Sequence, residues 1–194
     1  LLREGELSFT AENAAQSFPV VLSAGKVVVD SVNLVADSDP TATPLVVEQT
    51  VFDFATQDRF AFDDFVLPAK GFDQIHVFFD NDRNKALGGV ALSLQGSVTL
   101  SDLSQATLDV NVPISARLPE EMLAAVTIPR GGVEKIELLF DPTILLNKID
   151  FDALNVGGVV VIDADSPIEV IEAIEGNLAL TFSFEGPQGG NNGG

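Results

Sequence analysis

The sequence predicts an all-β protein, a β-sandwich or jelly roll of about ten strands with two short helices near the C-terminus. Three observations predict it. Apolar residues alternate with polar ones over runs of strand length. Clusters of Asp, Asn, Ser, Gly and Pro separate those runs. Helical spacing is confined to two segments in the last third of the chain.

In chain order, Glu6 to Thr10 alternates with period two and reads as a strand. Lys26 to Ala36 is rich in β-branched residues and stops at the turn Asp37-Ser38-Asp39-Pro40. Leu45 to Phe54, Arg59 to Leu67 and Phe72 to Phe79 follow, carrying Val and Phe. Pro68 ends the second of them and Asp80-Asn81-Asp82-Arg83-Asn84 bounds the third. Val90 to Leu100 and Thr107 to Leu118 are long alternating runs joined through Ser101-Asp102-Leu103-Ser104, and Pro113 marks an edge or bulge in the second. Val133 to Phe140, Val159 to Ile162 and Asn177 to Phe184 complete the strands. Asp141-Pro142 reads as the start of one helix, with Ile144, Leu145, Lys148 and Ile149 at helical spacing. Ser166-Pro167-Ile168-Glu169 is a capping-box pattern opening a second, whose apolar face would carry Ile168, Ile171 and Ile174.

Composition narrows the function classes. The chain has 194 residues with 29 acidic and 10 basic side chains, a net charge of −19, and no Cys or Trp. A chain of this length buries about 70% of its unfolded surface, enough for a core of its own. Lack of Cys excludes disulfides, thiol catalysis and thiolate metal sites. The charge opposes binding to nucleic acid. Mean hydropathy is +0.29, yet no apolar run approaches the roughly 20 residues that span a bilayer. The surplus hydropathy points to strand surface that another subunit covers. The chain begins Leu1-Leu2-Arg3 without Met or a signal peptide, which reads as an exported, processed protein.

The candidate chemistry is sparse. His76, the only histidine, shares a strand face with Gln74 and Phe78, and no nucleophile motif accompanies it. It reads as a structural residue, and no catalytic residue is expected. Asp80, Asp82 and Asn84 place oxygen ligands at alternate positions, as the opening of a calcium loop does. Lys85 stands where such a loop needs Gly, and no closing Glu follows, so a hairpin turn is the competing reading. Ca²⁺ at that turn is the one cofactor considered. Asp37/Asp39, Asp63/Asp64, Asp150/Asp152 and Asp163/Asp165 are further carboxylate pairs. Such pairs serve glycoside hydrolysis only across a sugar cleft, and they read as solvated turns. The Phe residues read as core.

Phe65 to Ile75, with Leu67-Pro68-Ala69-Lys70-Gly71-Phe72-Asp73, resembles the Leu-Pro-Ala-Gly turn of bacterial secreted β-sandwich lipoproteins of unknown function. Leu139-Phe140-Asp141-Pro142 and Ile149 to Leu154 are similar to the same group. That resemblance implies an exported, mostly β protein without catalysis, although the lipid-bearing Cys is missing. Gly5 to Phe9 and Leu180 to Glu185 resemble strands of TasA-like biofilm fibre subunits. This second resemblance implies assembly by β-strand complementation, which propagates head to tail into an open polymer.

Two functions follow as expectations. The first is a non-enzymatic, extracellular or cell-surface structural protein, the subunit of a filament, pilus or biofilm matrix. Its partner is itself, as a head-to-tail homopolymer. Residues 1–12 would be a donor strand inserting Leu1, Leu2, Leu7 and Phe9; residues 13–186 would form the sandwich, and 187–194 a Gly/Asn-rich tail. The alternative is a monomeric extracellular binding module, dependent on calcium or a glycan.

Overall fold

The computed structural model describes residues 2–11, 16–17, 20–36, 39–46, 48–54, 59–68, 71–72, 74–81, 87–117, 126–127, 134–140 and 144–185. The chain is mostly strand, with two helices near the C-terminus, as the alternation predicts. The strands are β1 Leu2–Ala11, β2 Gln16–Ser17, β3 Val20–Ala36, β4 Asp39–Val46, β5 Thr50–Asp53, β6 Arg59–Pro68, β7 Gly71–Phe72 and β8 Gln74–Phe79. Then come β9 Leu92–Thr99, β10 Gln105–Val112, β11 Ala116–Arg117, β12 Val126–Thr127, β13 Glu134–Phe140, β14 Asn155–Val156, β15 Val159–Ile162 and β16 Phe182–Glu185. The helices are α1 Phe151–Leu154 and α2 Ile168–Thr181.

Pairing sorts these strands into a four-stranded sheet in the order β16-β13-β1-β6, a ten-stranded sheet, and the small pair β12-β7. The large sheet runs β11-β8-β3-β9-β10-β15-β14, with β2, β4 and β5 also on β3. Among the described residues two pairings are parallel, β1 with β13 and β10 with β15.

β3 is the spine of the large sheet. Val27 pairs with Leu92 of β9 and Phe52 of β5, and Val29 pairs with Thr50 of β5 and Phe79 of β8. A strand has two edges. Since β5 holds one of them at both positions, β9 and β8 follow one another along the other. Seventeen residues laid straight would span about 56 Å, against about 42 Å for a globule of this size. The strand therefore has to bend. Register shifts at Leu22/Ala24 and Val29/Ser31 supply bulges that bend and twist it. Val27, Val28 and Val29 are consecutive and all fully buried, so the chain is covered on both faces there. Gly25 is obligatory beside this bend, because a Cβ would overlap the Phe54 ring.

The core is built largely from alternate positions of the large sheet's strands. β10 buries Ala106, Leu108, Val110 and Val112 in strict alternation, and β15 buries Val160 and Ile162. Ile171, Ile174 and Leu178 of α2 join them, together with Leu145, Leu146 and Phe151. Each such side chain stabilises the fold by about 1.5–3 kcal/mol relative to exposure. Asn177 ties the helix down. Its Nδ2 donates to the carbonyls of Leu145 at 3.1 Å and Asn147 at 2.8 Å.

Three expectations for the C-terminal third are corrected. The helix expected from Asp141-Pro142 is a turn over 144–148, and only Phe151–Leu154 is α-helical. Lys148 takes a left-handed φ of 65°, which ends any helix, and Asp150 starts a new one by accepting the Ala153 amide at 3.1 Å. The strand expected from Asn177 begins only at Phe182, because α2 runs on to Thr181. Leu178 continues the buried stripe four residues after Ile174, and the Thr181 hydroxyl donates to the Asn177 carbonyl. Ile168 is exposed rather than on that stripe. The Ser166 hydroxyl accepts the amide of Asp163 at 2.9 Å, serving the preceding turn.

Candidate functional site

The segment expected to insert as a donor strand is β1. Leu2, Leu7 and Phe9 lie in it, and Leu1 lies outside the described residues. β1 occupies an inner position of the four-stranded sheet, parallel to β13 and antiparallel to β6. Leu7 stands opposite Ile136 on one side and Phe62 on the other. Phe9 stands between Leu138 and Phe60. The register thus places apolar residues in the same rungs at these six positions. It continues into β16, with Phe184 opposite Leu138 and Phe182 opposite Phe140. The intervening positions are polar: Ser8 pairs with Glu137, and Glu6 with Lys135. Leu2 lies opposite Pro68 at the far end of the same ladder.

β1 and β2 are neighbours in sequence and members of different sheets. The strands that flank β1 come from positions 59–68 and 134–140, far along the chain. The slot for β1 is therefore built by remote segments.

Of the expected calcium ligands, Asp80 is described, whereas Asp82 and Asn84 lie outside the described residues. Asp80 Oδ1 accepts the Asn81 amide at 2.7 Å, as a turn aspartate does. Gln49 Nε2 bridges the Asn81 carbonyl at 3.0 Å and Asp30 Oδ1 at 3.1 Å. Among the described residues, Asn81 Oδ1 is buried without a hydrogen-bond partner. Buried carbonyl oxygens in that condition call for a water or a cation. Among the described residues no three acidic or histidine side chains gather as a metal set.

His76, Gln74 and Phe78 share a face as the spacing predicts. His76 Nε2 lies 3.2 Å from Gln74 Oε1. An Arg117 guanidinium nitrogen lies 2.9 Å from the same ring nitrogen, and its carbon sits 5.4 Å from the Phe78 ring centroid. Arg117 belongs to the two-residue β11, whose pairing with β8 brings it opposite Phe78. These contacts tie the imidazole into the sheet surface, and no nucleophile stands beside it among them.

The carboxylate pairs diverge. Asp163 and Asp165 close a turn on themselves, the Asp165 amide donating to Asp163 Oδ1. Asp150 and Asp152 instead border a groove of about 380 Å³ with Thr99, Leu100, Ser101, Leu103, Ile149 and Phe151. Asp152 accepts the Ser101 amide at 3.2 Å and the Ser101 hydroxyl at 3.0 Å, stapling the turn after β9 to α1. Asp102 accepts the Ser104 amide at 2.8 Å. Hydrogen bonds from the Ser104 side chain and backbone hold its carboxyl below the ordinary value of 3.8. Leu103, at the tip of that turn, is 78% exposed and adopts a φ of 69°. Both halves of the groove are visible in the sequence as separate turn signals. Their meeting is not, because 51 residues separate Ser101 from Asp152.

No helix among the described residues is long and apolar enough to cross a membrane. No family model matches the chain, and no curated protein matches it. Among solved structures, the chain is similar to MbnP from Methylosinus trichosporium, at 13% identity and a TM-score of 0.43, over 97% of this chain and 99% of that one.

Proposed function

We propose that this protein is a non-enzymatic structural subunit of an extracellular or cell-surface filament, pilus or matrix, assembled head to tail by exchange of its first strand. The observation that supports this reading is the slot of β1. It is an inner position in a sheet built by remote strands, and the register partners of Leu7 and Phe9 on both sides are apolar residues. A second copy offering the same segment would make the same two ladders. Exchange then costs little in contact energy, and its outcome depends on concentration. Each copy donates to one neighbour and accepts from another, so the contact is head to tail and propagates into a polymer wherever its rotation does not close a ring. The exposed Val156, Val159 and Val161 of the β14–β15 hairpin add apolar surface of the kind an assembly covers.

The test has two arms. The full chain is held at high concentration under mild heating, then followed by size-exclusion chromatography and negative-stain microscopy; filaments or ladders of oligomers are expected. A chain lacking residues 1–12 is expected to stay monomeric and to bind a synthetic 1–12 peptide, with Phe9→Asp in the peptide abolishing uptake. A full chain that stays monomeric throughout, and a truncated chain that ignores the peptide, would end this reading.

One observation favours the second reading, a monomeric binding module. Asn81 Oδ1, buried without a partner beside Asp80, is suited to a cation. Calorimetric titration with Ca²⁺ checks it. Saturable heat lost in Asp80→Asn supports the module, and a flat titration removes it.

A further inference from the structure

The groove between the turn after β9 and α1 combines features that no role has yet absorbed. Its volume of about 380 Å³ falls in the range of roughly 300–1,000 Å³ typical of small-ligand sites. Leu100 and Phe151 are buried and form its inner part. Leu103, Asp150 and Asp152 are exposed and form its rim, with Ile149 between them. The rim is thus apolar on one part and doubly anionic on another.

The carboxylates are held in place. Asp152 is fixed by the Ser101 amide and hydroxyl, and Asp150 by the Ala153 amide. A carboxylate offers about four acceptor positions, so each retains capacity for a further donor. Groups already positioned lose little freedom when a ligand arrives.

Charge and shape select the ligand class. An anion would be repelled by Asp150 and Asp152. A bare divalent cation would leave Leu103 and Ile149 uncovered, and no third acidic or histidine side chain joins the pair among the described residues. A neutral polar ligand would leave both charges unanswered. We infer that this groove binds an alkylammonium group, with the ammonium shared by Asp150 and Asp152 and the aliphatic stem lying on Leu103 and Ile149. The chemistry is that of a snorkelling lysine side chain or a free aliphatic amine. The inference is independent of strand exchange, since none of β1, β6 or β13 contributes to the groove.

The experiment is an amide NMR titration of the full chain with hexylamine, using hexanol and hexanoate as controls of equal length. Hexylamine is expected to shift the amides of residues 99–103 and 149–152 saturably. Hexanol should bind roughly tenfold more weakly, the worth of a charge-assisted hydrogen bond, and hexanoate should leave the spectrum unmoved. Asp150→Asn keeps an excellent helix cap, and together with Asp152→Asn it should bring hexylamine down to the level of hexanol. Leu103→Gly accepts the left-handed backbone without strain and should weaken both ligands alike.

A blocked lysine, N-acetyl-lysine methylamide, separates the two sources. Binding comparable to hexylamine assigns the groove to lysine side chains of a partner, and binding of hexylamine alone assigns it to free amines. The inference is overturned if hexylamine produces no saturable shift, if hexanol matches it in the unaltered chain, or if the double Asn variant binds hexylamine as before.

Discussion

At the scale of single residues, polar side chains fix the joints between elements. Asn177 is buried and spans two carbonyls of the 144–147 turn. Truncation would leave the buried Leu145 carbonyl without this donor and the part-buried Asn147 carbonyl without its own. Asn177→Ala is expected to cost about 2–3 kcal/mol, which for a chain of this size lowers the melting temperature by several degrees. A thermal unfolding curve checks it. Asp102 makes the complementary point at the surface. Its folded value is lowered by Ser104, so its contribution is present above the unfolded value of about 3.8. That contribution is lost as the pH falls through the lower folded value. Fully exposed, it matters to the turn rather than to global stability. The Ser104 amide resonance should therefore titrate below pH 3.8, and Asp102→Ala should remove the transition.

At the scale of elements, close approach between strands is as decisive as burial. Gly96 of β9 stands between Leu22 of β3 and Leu108 of β10. A Cβ there would collide with the Val21 carbonyl oxygen, a backbone atom that cannot rotate away. Gly96→Ala is expected to destabilise by about 1–3 kcal/mol, read as a lower denaturation midpoint with an unchanged slope. The same scale shows what the sequence discloses. Alternation locates β8, β10 and β15, which bury every second residue, and β9, which does so except at Gly96, because period two is a local signal. The turn Ser101 to Ser104 is equally local. The end of α2 is not, since Asn177-Leu178-Ala179-Leu180-Thr181 alternates like a strand. It is helical because Leu178 reaches the core one turn after Ile174. The parallel partners of β1 and β10 are set by long-range topology that no window of sequence carries. The groove was hidden for the same reason: its two acidic residues and its apolar lip lie in turns remote along the chain.

At the scale of the whole molecule, the dominant fact is a charge of −19, of which an ion pair such as Lys26–Asp53 at 3.5 Å answers little. Both partners of that pair are partly exposed, so it adds little. Repulsion among the carboxylates works against compactness and against association of copies. Salt screens it over about 10 Å at 0.1 M. The melting temperature is expected to rise as sodium chloride increases from about 0.01 to 0.3 M, and any polymer should form faster over the same range. Differential scanning calorimetry and light scattering read the two effects; a melting temperature that falls with salt would show that specific ion pairs outweigh the repulsion.

The position of β1 also governs how the molecule bears load. A strand at the rim of a sheet peels away one hydrogen bond at a time. β1 is held on both sides, by seven register pairs to β13 and eight to β6. A pull along its axis acts on both ladders in shear, so they must slip together or not at all. Withdrawal by force thus meets a high, brittle barrier, while exchange by thermal opening proceeds bond by bond. A fibre joined through this slot would be slow to form and hard to tear.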